Sequence, residues 1–209
     1  MREKQIKKSE LTKAKILAAA ETEFSEKGFF GARIDNIALI SGVNKRMIYE
    51  HFGSKESLYD AALLSVYQHF AEWEQLFINC DLEPILAIRN VICVGFRFLE
   101  KNPNFVRMLM WENLNNGRAI DERYRDVKGP AIDYIKDQIR KGKESGEFRE
   151  DVDEYQMVVS ILNFEFSYFS NIHTLSTILE KQMDAHEEIV LRAEFVADMI
   201  IDYLTKKSK

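Results

Sequence analysis

The segment from Ile34 to Tyr59, IDNIALISGVNKRMIYEHFGSKESLY, constrains the fold more than any other part of the chain. Apolar residues at helical spacing predict a short first helix that ends at Gly42, because glycine tolerates the left-handed backbone of a sharp turn between helices. A second short helix is predicted over residues 44–51, and Ser54 is a suitable N-cap for a third. Two helices joined by a short glycine-containing turn are typical of the helix-turn-helix, whose second helix enters the major groove of DNA.

The composition predicts that the rest of the chain is helical too. The 209 residues include only 3 Pro and 9 Gly, and 46% of them are hydrophobic, which suffices for a buried core. A helix is predicted from Ser9 to Lys27, and helical periodicity continues over residues 84–101, 103–115, 130–145, 153–172 and 186–205. We therefore predict an all-α protein with a three-helix helix-turn-helix domain over residues 1–58 and a larger helical domain over residues 59–209.

Charge is distributed unevenly along the chain. Residues 1–58 contain eleven Lys and Arg residues against eight Asp and Glu residues, whereas the remainder contains 18 against 26, and the net charge of the whole chain is −5. Nucleic-acid binding depends on where positive charge lies rather than on its total. The basic N-terminal arm from Arg2 to Lys8 is expected to be disordered in the free protein, and it could either track the minor groove of DNA or add only salt-dependent affinity.

The sequence shows no signal-peptide pattern at its charged N-terminus and no apolar run of the roughly 20 residues that cross a bilayer. We therefore expect a soluble, cytoplasmic protein with no membrane partner. An α-helical enzyme would need a constellation of catalytic or metal-binding residues, and the four His residues are scattered along the chain. No catalytic residue, metal site or cofactor is predicted.

The N-terminal end of the second short helix carries the candidates for reading bases. Arg and Lys side chains suit guanine, Asn suits adenine, and Met can contact the methyl group of thymine. The candidates for contact with base edges are Asn44, Lys45, Arg46 and Met47. For Arg46 a phosphate contact is an equal alternative, and Lys45 could instead be a solvated surface residue.

The residues around this motif extend the pattern beyond a generic helix-turn-helix. The matching positions are Ile16-Leu17-Ala18-Ala19-Ala20 with Phe24, Gly28-Phe29, Ile37-Ala38, Gly42-Val43 and Ile48-Tyr49-x-His51-Phe52-x-x-Lys55-Glu56-x-Leu58. With this pattern, the chain from about Thr12 to Tyr59 resembles the TetR/AcrR-type bacterial transcriptional regulators. The C-terminal part resembles them only in length and helical character.

The resemblance implies a homodimer that binds double-stranded operator DNA, with a cavity for a small-molecule effector in each C-terminal domain. It also implies that Tyr49, His51 and Lys55 contact the DNA backbone, which positions a protein without reading sequence. Tyr49 and His51 could instead only flank the core. The last two helices of such regulators form a four-helix bundle between subunits. The apolar stripe predicted for this bundle consists of Ile189, Ala193, Val196, Ala197, Ile200 and Leu204.

Two positions depart from the family pattern. The residue after Gly31, commonly a Thr or Ser that caps the first helix of the motif, is Ala32, and losing such a cap costs about 1 kcal/mol. Asp35 in the first turn can offset part of this cost through the helix dipole, and the neighbouring Arg33 is a candidate for a phosphate contact. Arg46 stands where the family often has Gly, so a long cation there reaches further into the groove.

The effector site is predicted from charged and aromatic residues inside apolar helical runs. A mostly apolar cavity with a few polar groups is typical of ligand sites. The candidates for effector contact are Arg97, Trp111, Glu112, Tyr134 and Glu165. The aromatic residues among them could instead be plain core, and Glu165 could belong to the dimer bundle.

Together these features predict a homodimeric repressor that binds a palindromic operator and is released by a small-molecule effector. The recognition helices of the dimer would lie about 34–36 Å apart to meet successive major grooves. The alternative is a DNA-binding regulator whose C-terminal domain only dimerises or binds a protein partner. An enclosed cavity of a few hundred cubic ångströms in the C-terminal domain would favour the first interpretation.

Overall fold

The computed structural model of the chain describes residues 2–78, 81–126 and 130–205. These residues form α-helices and no β-strand, so the predicted all-α fold is confirmed. The helices are α1 (Arg2–Gly31), α2 (Ile34–Ser41), α3 (Lys45–Phe52), α4 (Lys55–Ile78), α5 (Pro84–Lys101), α6 (Pro103–Leu114), α7 (Arg123–Asp126), α8 (Ala131–Glu144), α9 (Glu154–Ser170), α10 (Ile172–Ile178) and α11 (His186–Thr205). None of these described helices has both the length and the apolar character needed to cross a bilayer.

The helices pack into two compact units. Met1–His69 and Asn104–Val127 form the first unit, and Phe70–Pro103 and Lys128–Lys209 form the second. The domain boundary predicted between residues 58 and 59 stays a prediction, since these units are defined by packing alone. The short helices α7 and α10 were not predicted, because four and seven residues give too little periodicity to detect.

In the first unit, α1 supplies the buried side of the helix-turn-helix. Ile16, Ala20 and Phe24 recur along α1 at helical spacing and are completely buried. Ile37 of α2 and Ile48 of α3 are buried as well. Helix α1 packs against α2, and α2 packs against α3, so these apolar residues fix the motif to the first helix.

Helix α1 differs from its predicted range at both ends. Gly28 adopts φ 64° and ψ 176°, so regular helical geometry ends at the glycine where the sequence predicts it, and one further turn follows. The other end begins at Arg2 rather than Ser9. The expectation that the basic arm is disordered is therefore wrong for its backbone. The arm is rich in Glu, Lys and Gln and has no Gly or Pro, which favours extension of the helix.

The second unit has an apolar core built from four long helices. Its completely or almost completely buried members include Ile88, Ile92 and Phe96 of α5, Ile135 and Ile139 of α8, Ile161 of α9, and Val196 and Leu204 of α11. Asp153 caps α9, because its Oδ1 atom accepts hydrogen bonds from the backbone N–H groups of Tyr155 and Gln156 at 2.9 and 3.0 Å.

The apolar stripe of α11 that the sequence assigns to the dimer bundle has a different place in the structure. All six of its residues are buried in the core of their own unit, so that assignment is wrong. Ala193 and Ala197 on this face allow α11 to approach α5 closely. Beside this contact, Arg89 of α5 forms ion pairs with Glu194 and Asp198 at 2.6 and 2.5 Å. A second apolar face of α11, formed by Leu191, Phe195 and Met199, is exposed.

Candidate functional site

The turn between α2 and α3 sets the direction of the candidate recognition helix. Gly42 has φ 67° and ψ 19°, the left-handed conformation expected at this turn. Asn44 then caps α3, because its Oδ1 atom accepts a hydrogen bond from the backbone N–H of Met47 at 2.9 Å. The sequence predicts an adenine contact for Asn44, and in this cap only its amide NH₂ group is available to a base.

Beyond this cap, α3 has a buried and an exposed side. Ile48 is buried and Met47 is half-buried, whereas Lys45, Arg46 and Tyr49 are exposed. These three side chains lie within one third of the helix circumference, given about 100° per residue. The structure therefore brings three of the predicted DNA contacts onto one solvent-accessible face.

Both cations on this face have acidic partners. The ammonium group of Lys45 lies 2.9 Å from a carboxylate oxygen of Asp35, and this hydrogen bond raises the pKa of Lys45. The Nε atom of Arg46 lies 2.8 Å from the Oε1 atom of Glu50, one turn further along α3. Exposed ion pairs of this kind are weak, so a phosphate or a base can displace either carboxylate.

Helix α2 begins without a side-chain cap of its own. Its N-cap residue is Arg33 rather than Ala32, and the side chain of Arg33 makes no capping hydrogen bond. The buried carboxylate of Glu23 on α1 accepts hydrogen bonds from the backbone N–H of Arg33 at 3.0 Å and from the side-chain amide of Asn36 at 3.1 Å. A residue ten positions earlier in the chain thus takes over the capping role, and sequence reasoning missed it.

The start of α4 carries another predicted DNA contact. The hydroxyl oxygen of Ser54 accepts a hydrogen bond from the backbone N–H of Ser57 at 3.0 Å, which confirms Ser54 as a cap of α4. The ammonium group of Lys55 lies 4.9 Å from the centroid of the Phe29 ring, within the range of a cation–π interaction. Lys55 and the neighbouring His51 are half-buried. The ring holds Lys55 at a helix N-terminus, where backbone N–H groups also favour an anion.

Two predicted effector contacts, Trp111 and Glu112, lie on α6 in the first unit and have partners there. The indole Nε1 atom of Trp111 donates a hydrogen bond to the carbonyl oxygen of Ser25 at 3.1 Å. The buried carboxylate of Glu112 accepts hydrogen bonds from the hydroxyl of Tyr59 at 2.9 Å and from the backbone N–H of Ala119 at 2.6 Å. Neither side chain lines the cavity found in the second unit.

The second unit contains a narrow apolar cavity between α4, α5, α8 and α9. Its lining residues are Phe70, Trp73, Glu74, Ile78, Val91, Val94, Gly95, Ala131, Ile135, Ile161, Leu162 and Glu165. About 20 Å³ of the space between them admits the centre of a water molecule. That is room for roughly one water, so a larger ligand would have to displace side chains.

Glu165 is the predicted effector contact that lies in this cavity. Its side chain is 5% exposed, and its Oε1 atom has no hydrogen-bond partner among the described residues. The carboxyl group packs against Gly95 of α5, where a Cβ atom would clash with it. Burial, together with the charge of Glu74, raises the pKa of Glu165 well above its ordinary value.

A second carboxyl group in the cavity belongs to Glu74, which sequence reasoning missed. Its Oε2 atom accepts a long hydrogen bond of 3.4 Å from the backbone N–H of Ala131, the first residue of α8. Burial raises the pKa of Glu74 to about 7. A signal was present in the sequence, because Glu74 continues the three- and four-residue spacing of Leu63, Val66 and Phe70 along α4.

Arg97 and Tyr134, the remaining predicted effector contacts, do not line this cavity. Arg97 is exposed on α5 and borders a surface groove with Glu100 and His186, whose Oε1 and Nδ1 atoms lie 2.7 Å apart. Tyr134 is half-buried on α8. In the described part of the chain, no three His, Cys, Asp or Glu side chains are grouped so that they could hold a metal ion.

Two segments of the chain match known protein families. Residues 16–62 match the bacterial regulatory proteins of the tetR family, and residues 84–200 match the tetracyclin repressor-like C-terminal domain. The chain belongs to the TetR family. The resemblance carried by the residues of α1 to α4 is therefore confirmed, and the second match extends it over most of the second unit.

Individual relatives of this TetR-family chain agree with the assignment. The HTH-type transcriptional repressor NicS of Pseudomonas putida is 33% identical over 196 residues, which cover 91% of each chain. The HTH-type transcriptional regulator RutR of Escherichia coli is 32% identical over 117 residues, covering 56% of this chain and 55% of RutR. Like its relatives, the TetR-family chain is a DNA-binding transcriptional regulator and not an enzyme, as the sequence predicts.

Solved structures share the fold. The putative transcriptional regulator SCO4942 of Streptomyces coelicolor has a TM-score of 0.70 at 20% identity, covering 92% of this chain and 98% of its own. The regulator FadR of Bacillus subtilis, solved in complex with stearoyl-CoA, has a TM-score of 0.70 at 19% identity, covering 91% and 98%. This likeness extends the TetR-type architecture of the chain beyond the segments matched by sequence.

Proposed function

We propose that the chain is a homodimeric repressor that binds a palindromic operator and leaves it when a small-molecule effector binds the second unit. The observation that carries the proposal is the exposed face of α3, where Lys45, Arg46 and Tyr49 follow a capped helix start. The similarity to the repressor NicS supports repression rather than activation. The proposal includes a cytoplasmic location, where operator DNA is accessible.

Within this proposal, the DNA-contacting residues divide into two roles. Arg46, with a side chain that is 89% exposed, is assigned to a guanine edge, and Lys45 and the amide NH₂ of Asn44 to neighbouring bases. Met47 is half-buried and can reach a thymine methyl group only at the edge of the interface. The residues assigned to the DNA backbone are Arg33, Tyr49, His51 and Lys55, which set the position of α3 without reading sequence.

A second copy of the chain would cover the exposed apolar face of α11. Leu191 and Phe195 are 62% and 60% exposed and lie four residues apart, so they form a continuous strip with Met199. Exposed apolar strips of this kind are typical of protein–protein contacts. A two-fold dimer places two recognition helices on one face of a palindromic operator, about 34–36 Å apart.

The effector part of the proposal is supported by the cavity of the second unit. Because the cavity is narrow, a ligand would bind best to a conformation in which α4, α5, α8 and α9 are further apart. A ligand shifts a conformational equilibrium by its difference in affinity for the two states. If the distance between the two recognition helices differs in this conformation, they no longer fit successive major grooves, and the dimer would leave the operator.

The same narrowness favours a second candidate function. A cavity with room for roughly one water is also compatible with a second unit that only dimerises or binds a protein partner. The two candidates differ in one measurable property. Only the effector-responsive regulator loses operator DNA when a small molecule binds the isolated protein.

The DNA-binding part is tested by selecting bound genomic fragments with the purified chain and measuring binding to the recovered operator against salt. Tyr49→Ala and Lys55→Ala are expected to weaken binding about 10-fold or more, and Lys55→Ala should lower the salt slope by about 1. The matched controls Tyr155→Ala and Lys101→Ala alter exposed residues of the second unit and should leave binding unchanged. Unchanged affinity and salt slope in the first pair would refute the assignment.

A further inference from the structure

The cavity of the second unit has a distinct chemical character. Glu74 and Glu165 are its acidic lining residues, and no Lys, Arg or His is among the described residues that line it. The remaining walls are aromatic or aliphatic, with Phe70 and Trp73 among them. A ligand that fits this cavity must therefore be mostly apolar, and its polar group must be one that carboxyl groups bind.

Glu165 supplies an unsatisfied acceptor. Its side chain is almost completely buried, and its Oε1 atom lacks a hydrogen-bond partner among the residues that the structure describes. A buried polar atom without a partner is costly and rare in folded proteins. Gly95 leaves the space that the carboxyl group occupies, since a Cβ atom there would clash with it. The packing thus keeps an unpaired acceptor at the cavity wall.

Glu74 adds a second acidic group from another helix. It is 8% exposed, and its 3.4 Å hydrogen bond from Ala131 is long. The carboxyl groups of Glu74 and Glu165 are close enough for the charge of one to affect the other. With no described cation beside them, burial raises the pKa of both acids, and a positive charge between them would favour ionisation and charge-assisted hydrogen bonds.

We propose that the effector is a small organic cation, in which an apolar body carries an ammonium group or a protonated ring nitrogen that donates hydrogen bonds to Glu165 and Glu74. This inference rests on the proposed effector-responsive function and names the ligand class of the same site. Anionic ligands are disfavoured, because they would meet two acids and no described cation in the wall. A neutral ligand with one donor would satisfy one carboxyl group and leave the other unchanged.

The test uses the purified full chain and a panel matched in shape. The cations are benzylammonium, phenethylammonium and 4-aminopyridinium, the neutral counterparts are benzyl alcohol, 2-phenylethanol and aniline, and the anions are benzoate and 3-phenylpropionate. Calorimetric titration at pH 7 gives each affinity. We expect at least one cation to bind about 10-fold more tightly than its neutral counterpart, as lost charge pairing in a buried site predicts, and no anion to bind. Equal binding of a neutral or anionic member, or no binding by any cation, overturns the proposal.

Substitutions of the two cavity glutamates test whether the cation binds in this cavity. Glu165→Gln and Glu74→Gln keep the side-chain shape, remove the negative charge and are each expected to weaken cation binding about 10-fold. Glu72→Gln makes the same change at an exposed position of α4 and should leave it unaltered. Thermal unfolding of each variant shows whether it is folded. Cation affinity that survives both cavity substitutions would place the ligand elsewhere and refute the assignment.

Operator binding measured on the same samples separates this inference from the proposed function. If the chain binds its operator, another ligand class releases it and no cation binds, the cation inference fails and the effector-responsive function stands. If a cation binds through Glu165 without changing operator affinity, the ligand class stands and the effector role fails. Cation binding that also releases the operator supports both.

Discussion

The guanidinium of Arg46 and the carboxylate of Glu50 form an ion pair of 2.8 Å across one turn of the recognition helix. Arg46 is the residue at which this chain departs from its family's frequent glycine, and its side chain is 89% exposed. In the free protein, Arg46, which is more exposed than Lys45, is therefore partly neutralised by a carboxylate on the same helix. If Arg46 contacts DNA as proposed, a phosphate or a guanine edge would replace that carboxylate in the complex.

Glu50→Gln is expected to strengthen operator binding. The substitution frees Arg46 and removes a negative charge from a surface that approaches phosphates, so affinity at low salt should rise about 3- to 10-fold with a steeper salt dependence. Electrophoretic mobility shifts or fluorescence anisotropy over a salt series measure both quantities. Glu72→Gln, which makes the same charge change away from α3, is the control. Weaker binding by Glu50→Gln would mean instead that Glu50 holds Arg46 in its reading position.

Glu23→Ala is expected to destabilise the first unit. It removes the acceptor for the backbone N–H of Arg33 and the amide of Asn36, at a cost of about 1–2 kcal/mol in the free energy of unfolding. Urea denaturation measures the loss, and Glu26→Ala at an exposed position of the same helix is the control. Adding Arg33→Ser supplies a local cap and should restore about 1 kcal/mol. Equal stability of Glu23→Ala and the wild type would contradict the capping role.

Phe195→Glu is expected to convert the dimer into a folded monomer. A carboxylate in the exposed strip of α11 would be buried against the second subunit in place of an apolar ring, and burying a charge at an interface is unfavourable. Light scattering should report the monomer mass, and operator affinity should fall about 100-fold because each half-site is then bound alone. Leu114→Glu changes an exposed apolar residue of the first unit and serves as control. A persistent dimer would move the interface to another surface.

The free energy of unfolding should depend on pH through Glu74. Its pKa is raised from 4.5 to about 7, so the folded state binds the proton more tightly than the unfolded state does. The stability that protonated Glu74 gives to the folded state is fully present below pH 4.5 and is lost as the pH rises to about 7. The free energy of unfolding falls by about 3 kcal/mol over this range. Urea denaturation between pH 5 and pH 7.5 should therefore give a flatter pH profile for Glu74→Gln than for the wild type or Glu72→Gln. Parallel profiles for all three would show that Glu74 is not titrating in this range.

Most of the fold was predictable because its signals are local. The glycine turn at Gly42, the cap at Ser54 and the periodicity of the long helices each lie within a few residues of what they determine. The cap of α2 was not predictable in this way. Glu23 accepts a hydrogen bond from the backbone N–H of Arg33, which lies ten residues later in the chain. Only the packing of α1 against α2 brings these two groups together.

Helix α11 shows a second limit. Apolar residues occupy two of its faces, and periodicity alone does not tell which face packs against its own unit and which meets a partner. The predicted stripe contains Ala193 and Ala197, whose small side chains fit the close contact with α5, whereas the exposed face carries the bulky Phe195. Likewise Glu165 was predicted as a pocket residue from its apolar surroundings, while its neighbours Gly95 and Glu74 come from other helices and became visible only in three dimensions.

The hydrogen bond from Arg33 to Glu23 makes one backbone amide a reporter of the whole motif. That N–H group is protected from exchange with solvent deuterium only while α1 and α2 stay together, since its acceptor belongs to the other helix. Its exchange rate would therefore measure how often the recognition motif separates from the first helix. Comparing that rate with and without operator DNA would show whether the motif is already rigid before it meets its target.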